Sequence, residues 1–541
     1  MYLNQALVGR ISQSAKVKEW QEQLTKESSH LITGLAGSAK TLAMGTLLAK
    51  ENKILVVTPN LYYGSKLIDD LQHIIEEKYL HYFPVDEVAA VEMSFSSPEA
   101  LSDRINALNF LVNDEPGILV TSLAGLRRYL PNPENWQKQT LVFEKDGILD
   151  LSTLAETLVL IGYQKEQMIG KPGEFSIRGS IVDIYPLTSE YPVRIDLFDD
   201  EIESLRLFDV ETQRSIGEID KILVTPAMDT PLTKEELISG SERLEKLAAE
   251  KLEKMAPGED KERISAHFSY LVEEWAQGHP TEEVKMYTDL LYEDKFFLTD
   301  YLGADDFILV DDYSRQVESE RELLREEAEW VTLKLEEGIY FENHELGGDF
   351  RSILKGAKQS KTYFSLFQKG MGNLRFSSIH PFEYRTMQQF FGQMPLLKTE
   401  IERWRKQKHT VVVLADNEER TEKIENLFLD FEIPTVINNS NKLLTGEVQI
   451  QTGNLAAGFE LPDEKLVVLV EKEILHTQGK KRARKQTISN AERLKNYNEL
   501  KPGDYVVHAN HGIGKYIGME TLLSAGVQQD YMTILYKNND K

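Results

Sequence analysis

Short apolar runs separated by amphipathic stretches fill the first quarter of the chain. "KILVVTP" (Lys53–Pro59) and "GILVTSL" (Gly117–Leu123) have the texture of buried strands, and helical spacing fills the intervals from His30 to about Leu141. Runs this short, alternating with helices, predict a parallel sheet covered on both faces. Ahead of them, residues 1–27 carry the periodicity of an amphipathic helix and its lead-in. From Asp146 to about Pro226 the period changes. One helical stretch (Leu151–Gly162) is followed by "EFSIRGSIVDIYP", "YPVRIDLF" and "EIESLRLFD", which predict a small antiparallel sheet with a helix. Thr233 to about Leu302 is helical and rich in Glu and Lys, and "ADDFILVDDYS" (Ala304–Ser314) returns to a buried strand ending in acids. Tyr363 to about His476 repeats the α/β texture. A basic stretch (Gly479–Lys485) then leads to "DYVVHA", "GKYIGM" and "DYMTILY", strands of a small barrel in which Gly512, Gly514 and Gly518 can supply bends.

These patterns divide the chain into an α/β lobe (1–145), an inserted α+β domain (146–226), a helical subdomain (227–302), a return to the first lobe (303–350), a second α/β domain (351–476), a basic linker (477–497) and the barrel (498–541). The last strand and turn run up to Lys541, so the barrel is expected to be incomplete and the polypeptide a fragment. The 541 residues are too many for one core, which fits several domains. No apolar stretch approaches the ~20 residues of a membrane span, and no secretory signal is visible. With no cysteine there are no disulfides or thiolate metal sites, which fits a reducing cytoplasm.

The formal net charge of -26 changes the functional picture. Such a chain is repelled by DNA phosphates overall, so nucleic-acid contact needs a local basic patch or another chain. Lys480–Lys485 is such a cluster, but beside a linker it reads as a solvated tether. His508 and His511 are three apart without a third ligand nearby, so no metal site is expected.

One stretch carries candidate chemistry. "HLITGLAGSAKTLAMGTLLAK" (His30–Lys50) is a strand, a glycine-rich turn and a helix. A phosphate loop has the form G-x-x-x-x-G-K-[ST], with amides around the phosphates, a lysine on the terminal ones and a hydroxyl on magnesium. Gly34 opens the turn, Gly37 lies within it, and Lys40 and Thr41 close it. Ala39 stands where the second glycine belongs. A Cβ there can block a left-handed backbone or a close approach that glycine permits. Two readings stand side by side: a tight strand-to-helix turn, and a working nucleotide loop that tolerates Ala39. A motor would also need an Asp-Glu strand end, where this chain has Asp311 and Asp312, and an arginine from the second lobe. After "QTGNLAAGFELPDEKLVVLV" (Gln451–Val470) no arginine run follows.

The inserted sheet offers a second candidate. In "VRIDLF", Val193, Ile195 and Leu197 share one face, and Arg194, Asp196 and Phe198 the other. With the apolar sets inward, Arg178, Arg194 and Phe198 lie on the outer face. An aromatic beside two arginines there is either a solvated face or an interface hot spot.

The order of a degenerate P-loop, inserted antiparallel domain, helical domain, acidic strand and second α/β block resembles UvrB of bacterial excision repair with its motor worn away. "KPGDYVVHANHGIGKYIGME" (Lys501–Glu520) with "DYMTILYKNNDK" (Asp530–Lys541) resembles the RNA-polymerase-interacting, CarD-like and Tudor-like barrel of the transcription-repair coupling factors, the Mfd family. A UvrB-like module upstream of this barrel is the arrangement of that family, and the resemblance covers nearly the whole chain. It implies degenerate RecA-like lobes and an adaptor that links RNA polymerase, through its β subunit, to UvrA. It also implies an ATP- and magnesium-dependent DNA translocase outside this chain, with no cofactor in these lobes. Arg178, Arg194 and Phe198 match the family's UvrA contacts. Leu522 matches the apolar contact to polymerase, with Leu523 the alternative register. On this reading Arg194→Glu abolishes UvrA capture at an unchanged melting temperature. The competing expectation is a UvrB-type helicase driven by nucleotide at Lys40 and Thr41.

Overall fold

The computed structural model describes residues 3–89, 97–475, 505–508, 512–524 and 527–536. It falls into two units, Met1–Ile488 and Ser489–Lys541.

The first unit begins with two helices rather than one. They are α1 (Gln5–Ser12) and α2 (Ala15–Gln23), because Ser14 is extended (ψ 132) and caps the second with its hydroxyl. A short side chain that hydrogen-bonds the backbone ends one helix and starts the next. There follow β1 (Ser29–Thr33), α3 (Gly37–Gly45), β2 (Lys53–Thr58), α4 (Leu61–Leu71), β3 (Leu80–Phe83) and β4 (Gly117–Ser122).

The chain then leaves through β5 (Leu141–Glu144) for the inserted domain, made of α5 (Leu151–Leu160) and β6 (Gln164–Lys165), β7 (Glu174–Arg178), β8 (Ile181–Ile184), β9 (Val193–Phe198), β10 (Glu201–Phe208) and β11 (Ser215–Ile219). It returns through β12 (Lys221–Val224), which is hydrogen-bonded antiparallel to β5. The inserted sheet has the order β11-β10-β9-β8-β7-β6 and is antiparallel except for its short edge pair, where β6 runs parallel to β7. Two helices, α6 (Lys234–Glu253) and α7 (Glu259–Ala276), form the helical subdomain, and α6 starts with a capping box at Thr233 and Glu236. β13 (Phe307–Asp311) and α8 (Tyr313–Glu336) rejoin the first lobe.

The expected start of the second domain at 351 is corrected. β14 (Ser360–Ser365) lies between β1 and β13, and β15 (Ser378–Pro381) lies beyond β1. They complete a seven-stranded parallel sheet, β15-β1-β14-β13-β2-β4-β3. Both strands are short and largely polar in sequence, and the sheet that each joins is set by tertiary contact. The second sheet, β16-β20-β21-β17-β19-β18, comprises β16 (Arg385–Thr386), β17 (Thr410–Ala415), β18 (Val436–Ile437), β19 (Val448–Thr452), β20 (Phe459–Leu461) and β21 (Leu466–Val470).

Strand alternation distributes the core. Leu31, Leu55, Val57 and Leu119 of the first sheet cluster with Phe175, Val182, Val193 and Ile195 of the inserted sheet. Their neighbours Ile32, Ile54, Val56 and Val120 cluster with Leu414, Leu455, Phe459 and Val468 of the second domain. Successive residues point to opposite faces, so one central sheet holds a domain on each side. At the exit of the insertion Asp229, fully buried, sits 2.7 Å from Arg104 and 3.0 Å from Arg128. Burial acts to raise its pKa, but the two guanidiniums outweigh burial and hold it well below the carboxylate range.

The second unit is described as one antiparallel ribbon: β22 (Tyr505–His508), β23 (Gly512–Ser524) and β24 (Val527–Leu535). Gly518, at φ +133, sits where the β23–β24 register shifts.

Candidate functional site

The turn after β1 keeps the course of a phosphate loop, but its glycines serve the fold. Gly34 has φ +87, and a Cβ on it would stand 2.0 Å from the Phe382 carbonyl oxygen. Gly37 has φ +48 and opens α3. The left-handed backbone anticipated at position 39 is instead at 34 and 37. Ala39 lies within α3, 1% exposed, in the cluster with Leu42 and Ala43. Its methyl group therefore points to the core and does not line the cleft beside the turn.

That cleft has a volume of about 600 Å³ and lies between the first lobe and the second domain. Every loop side chain with phosphate chemistry is engaged there. Lys40 Nζ donates to Asp311 Oδ1 at 2.6 Å. Thr41 Oγ1 donates to Asp70 Oδ2 at 2.6 Å, and Ser38 Oγ to Asp70 Oδ1 at 3.0 Å. From the second domain the Ala456 amide reaches Asp70 Oδ1 at 2.8 Å, and the Ala457 amide reaches Ser38 Oγ at 3.1 Å. Asp312, at φ +50, caps α8 through the Arg315 amide and pairs with the Arg315 side chain at 3.2 Å. Burial pushes its carboxyl upward despite that amide. Asp69, Asp70, Asp311, Asp416 and Glu471 line the cleft against Lys40, Lys66 and Lys472, and no arginine is among the described lining residues. Arg420, behind this lining, pairs with Glu471 at 3.4 Å. A surplus of carboxylates disfavours a triphosphate. Asp70 was not singled out in the sequence, because "KLIDDL" looks like an ordinary solvated helix turn.

On the inserted sheet, Ser176, Asp183, Arg194 and Arg206 are cross-strand neighbours. Arg178 Nη2 donates to Asp183 Oδ2 at 2.6 Å, and Arg194 donates to Asp183 Oδ1 at 2.7 Å and Oδ2 at 2.9 Å. Asp183 is 1% exposed. The guanidinium of Arg194 also lies 4.3 Å from the Phe208 ring centroid, and hydrogen bonding to Asp183 raises its pKa. Phe198 is 75% exposed at the end of β9. The structure thus brings Arg178 and Arg194 onto one carboxylate and leaves Phe198 free in solvent. Arg206, bonded to Asp196, extends the same face. Sequence alternation gives the face but not this cross-strand pairing, which depends on register.

Two segments of the chain match known domain families: residues 141–229 the UvrB interaction domain, and residues 500–541 the CarD-like/TRCF RID domain. The chain is 40% identical over 513 residues to the transcription-repair-coupling factor of Bacillus subtilis (strain 168), covering 94% of this chain and 44% of that protein. It is 34% identical over 527 residues to the transcription-repair-coupling factor of Staphylococcus aureus (strain MRSA252), covering 96% and 44%. The chain matches part of a transcription-repair-coupling factor. It spans under half the length of these coupling-factor relatives. The stretch similar to them holds both the loop and the arginine face.

Leu522 lies in β23 with its backbone opposite Gln529, and Leu523 lies opposite Gln528. His508 ends β22, while His511 and Lys480–Lys485 fall outside the described residues. Among the described residues no group of three or more His, Asp or Glu could hold a metal ion, and no helix is long and apolar enough to cross a membrane.

Proposed function

We propose that this chain is the adaptor portion of a coupling factor for transcription-coupled nucleotide-excision repair. The inserted domain captures UvrA through Arg178, Arg194 and Phe198, and the CarD-like, Tudor-like barrel engages the β subunit of RNA polymerase near Leu522. The two α/β lobes are degenerate RecA-like scaffolds without nucleotide or metal. ATP and magnesium serve a DNA-translocating motor outside this chain, in the cytoplasm. The observation that carries this reading is the succession, in one polypeptide, of a UvrB interaction domain at 141–229 and a CarD-like/TRCF RID domain at 500–541. The helicase alternative is disfavoured by the acid-lined cleft, in which Lys40 and Thr41 are already engaged.

The test is capture of purified UvrA and of polymerase β subunit by the 541-residue chain. Phe198→Ala should weaken UvrA capture alone, and Leu522→Arg should weaken β-subunit capture alone. Loss in Leu523→Arg only would shift the polymerase contact by one residue. Capture of neither partner by the unaltered chain would end the proposal.

A further inference from the structure

The two hydroxyls of the phosphate-loop-like turn, those of Ser38 and Thr41, both donate to one side chain. Asp70, in the last turn of α4, is 4% exposed and takes up both hydroxyls of the turn and an amide of the second domain. A carboxylate buried to this extent is tolerated only when hydrogen-bonded, and hydrogen bonds to a charged group are the stronger kind. The donors come from two domains. Ser38 and Thr41 belong to the first turns of α3, and Ala456 belongs to the segment between β19 and β20. Ser38 is itself the acceptor for Ala457, so carboxylate, hydroxyl and two successive amides form one closed network across the domain boundary.

We propose that the Asp70 carboxylate is an internal anion that gathers the Ser38 and Thr41 hydroxyls of the Gly34–Thr41 turn and pins the 456–457 segment of the second domain against α3. In a nucleotide-driven pair of lobes, closure follows the arrival of an exogenous anion at this turn. Here the anion is covalently part of the first lobe, so its effective concentration beside these hydroxyls and the 456–457 segment is fixed. The latch is local. The N-terminal helices hold the domains independently, Lys16 at 2.7 Å from Asp463 and Ser14 at 2.5 Å from Glu464, so its loss frees the 456–457 segment without parting the domains.

Hydrogen exchange on the full chain tests this. In Asp70→Ala the segment holding the Ala456 and Ala457 amides should exchange about 10-fold faster or more, as expected for losing hydrogen bonds to a charged group. Exchange in β19 and β20 should be unchanged. Sodium formate or acetate should restore protection saturably in this variant only, whereas sodium chloride of equal ionic strength should not. Ser38→Ala keeps the carboxylate and removes the bridge to Ala457, so it should accelerate the same segment without anion rescue. Unaltered exchange in both variants would overturn the proposal. So would acceleration in Asp70→Ala that neither formate nor acetate reverses.

Discussion

Thr41 and Asp70 stand 29 residues apart in the chain, and the hydroxyl of one donates to the carboxylate of the other at 2.6 Å. This is the hydroxyl that a working loop would give to magnesium. With Lys40 held by Asp311 as well, magnesium and triphosphate would have to displace two internal partners in an acidic cleft. Titration with fluorescent ATP in magnesium should therefore show no saturable binding. Saturable micromolar binding that disappears in Lys40→Ala would contradict this.

Lys40 should matter for stability instead. Its side chain is 18% exposed and that of Asp311 is 8% exposed. Removing one partner of so enclosed a pair leaves the other unpaired, at a cost of about 2 kcal/mol. Urea unfolding of Lys40→Ala, Asp311→Ala and the double variant should show the double losing clearly less than the sum of the singles. Additive losses would mean that the pair contributes nothing.

On the inserted sheet, the expectation that Arg194→Glu spares the melting temperature is revised. The substitution would put a second carboxylate against Asp183, which is 1% exposed. A loss of about 3 kcal/mol is expected, so impaired UvrA capture by that variant could reflect misfolding. Phe198→Ala removes only an exposed ring and should stay within about 0.5 kcal/mol of the parent. Thermal unfolding of the two variants side by side checks the contrast.

A chain of hydroxyls and imidazoles crosses three strands. Ser28 contacts Ser360 at 2.9 Å and His30 at 2.8 Å, and Ser378 bridges His30 and His380 at 2.8 Å each. Burial lowers the pKa of both histidines, so the fold favours their neutral forms relative to the unfolded chain. The unfolded chain then binds more protons than the fold as the pH falls through the ordinary histidine range, so the contribution of this pair is complete above that range and is lost as the pH drops below it. Unfolding midpoints measured from pH 8 to pH 5 should fall less steeply in His30→Gln.

Glu87 has the opposite sign. Burial lifts its carboxyl to about 7, against hydrogen bonds from the Leu61 amide and the Ser122 side chain. Its contribution is complete below the ordinary 4.5 and is lost as the pH rises through about 7. The stability of Glu87→Gln relative to the parent should rise between those values and level off above pH 7. A difference that does not vary with pH would refute the assignment.

Period and punctuation carried the sequence reading where the structure is local. The alternation in "VRIDLF" gives the buried and outer sets correctly, because Val193, Ile195 and Leu197 are all buried and Phe198 is exposed. The strand at Phe307–Asp311 is equally plain. What escaped notice is what distant segments do to each other. Asp183 meets two arginines only through the register of three strands, and Asp70 meets Thr41 only once α4 packs on α3. The strand at Ser360–Ser365 reads Ser-Lys-Thr-Tyr-Phe-Ser, with only two adjacent aromatics to mark it, and nothing in it names the sheet it joins. The alanine at position 39 was given a backbone role that the left-handed glycines at 34 and 37 hold.

The paired ribbon of β5 and β12 means that the chain leaves and re-enters the first lobe through a single doorway, while the apolar packing of the inserted sheet continues unbroken into that lobe. A module joined only by its doorway would swing. This one is mounted like a bracket, tied to the lobe both by the paired strands and by the core that the two share.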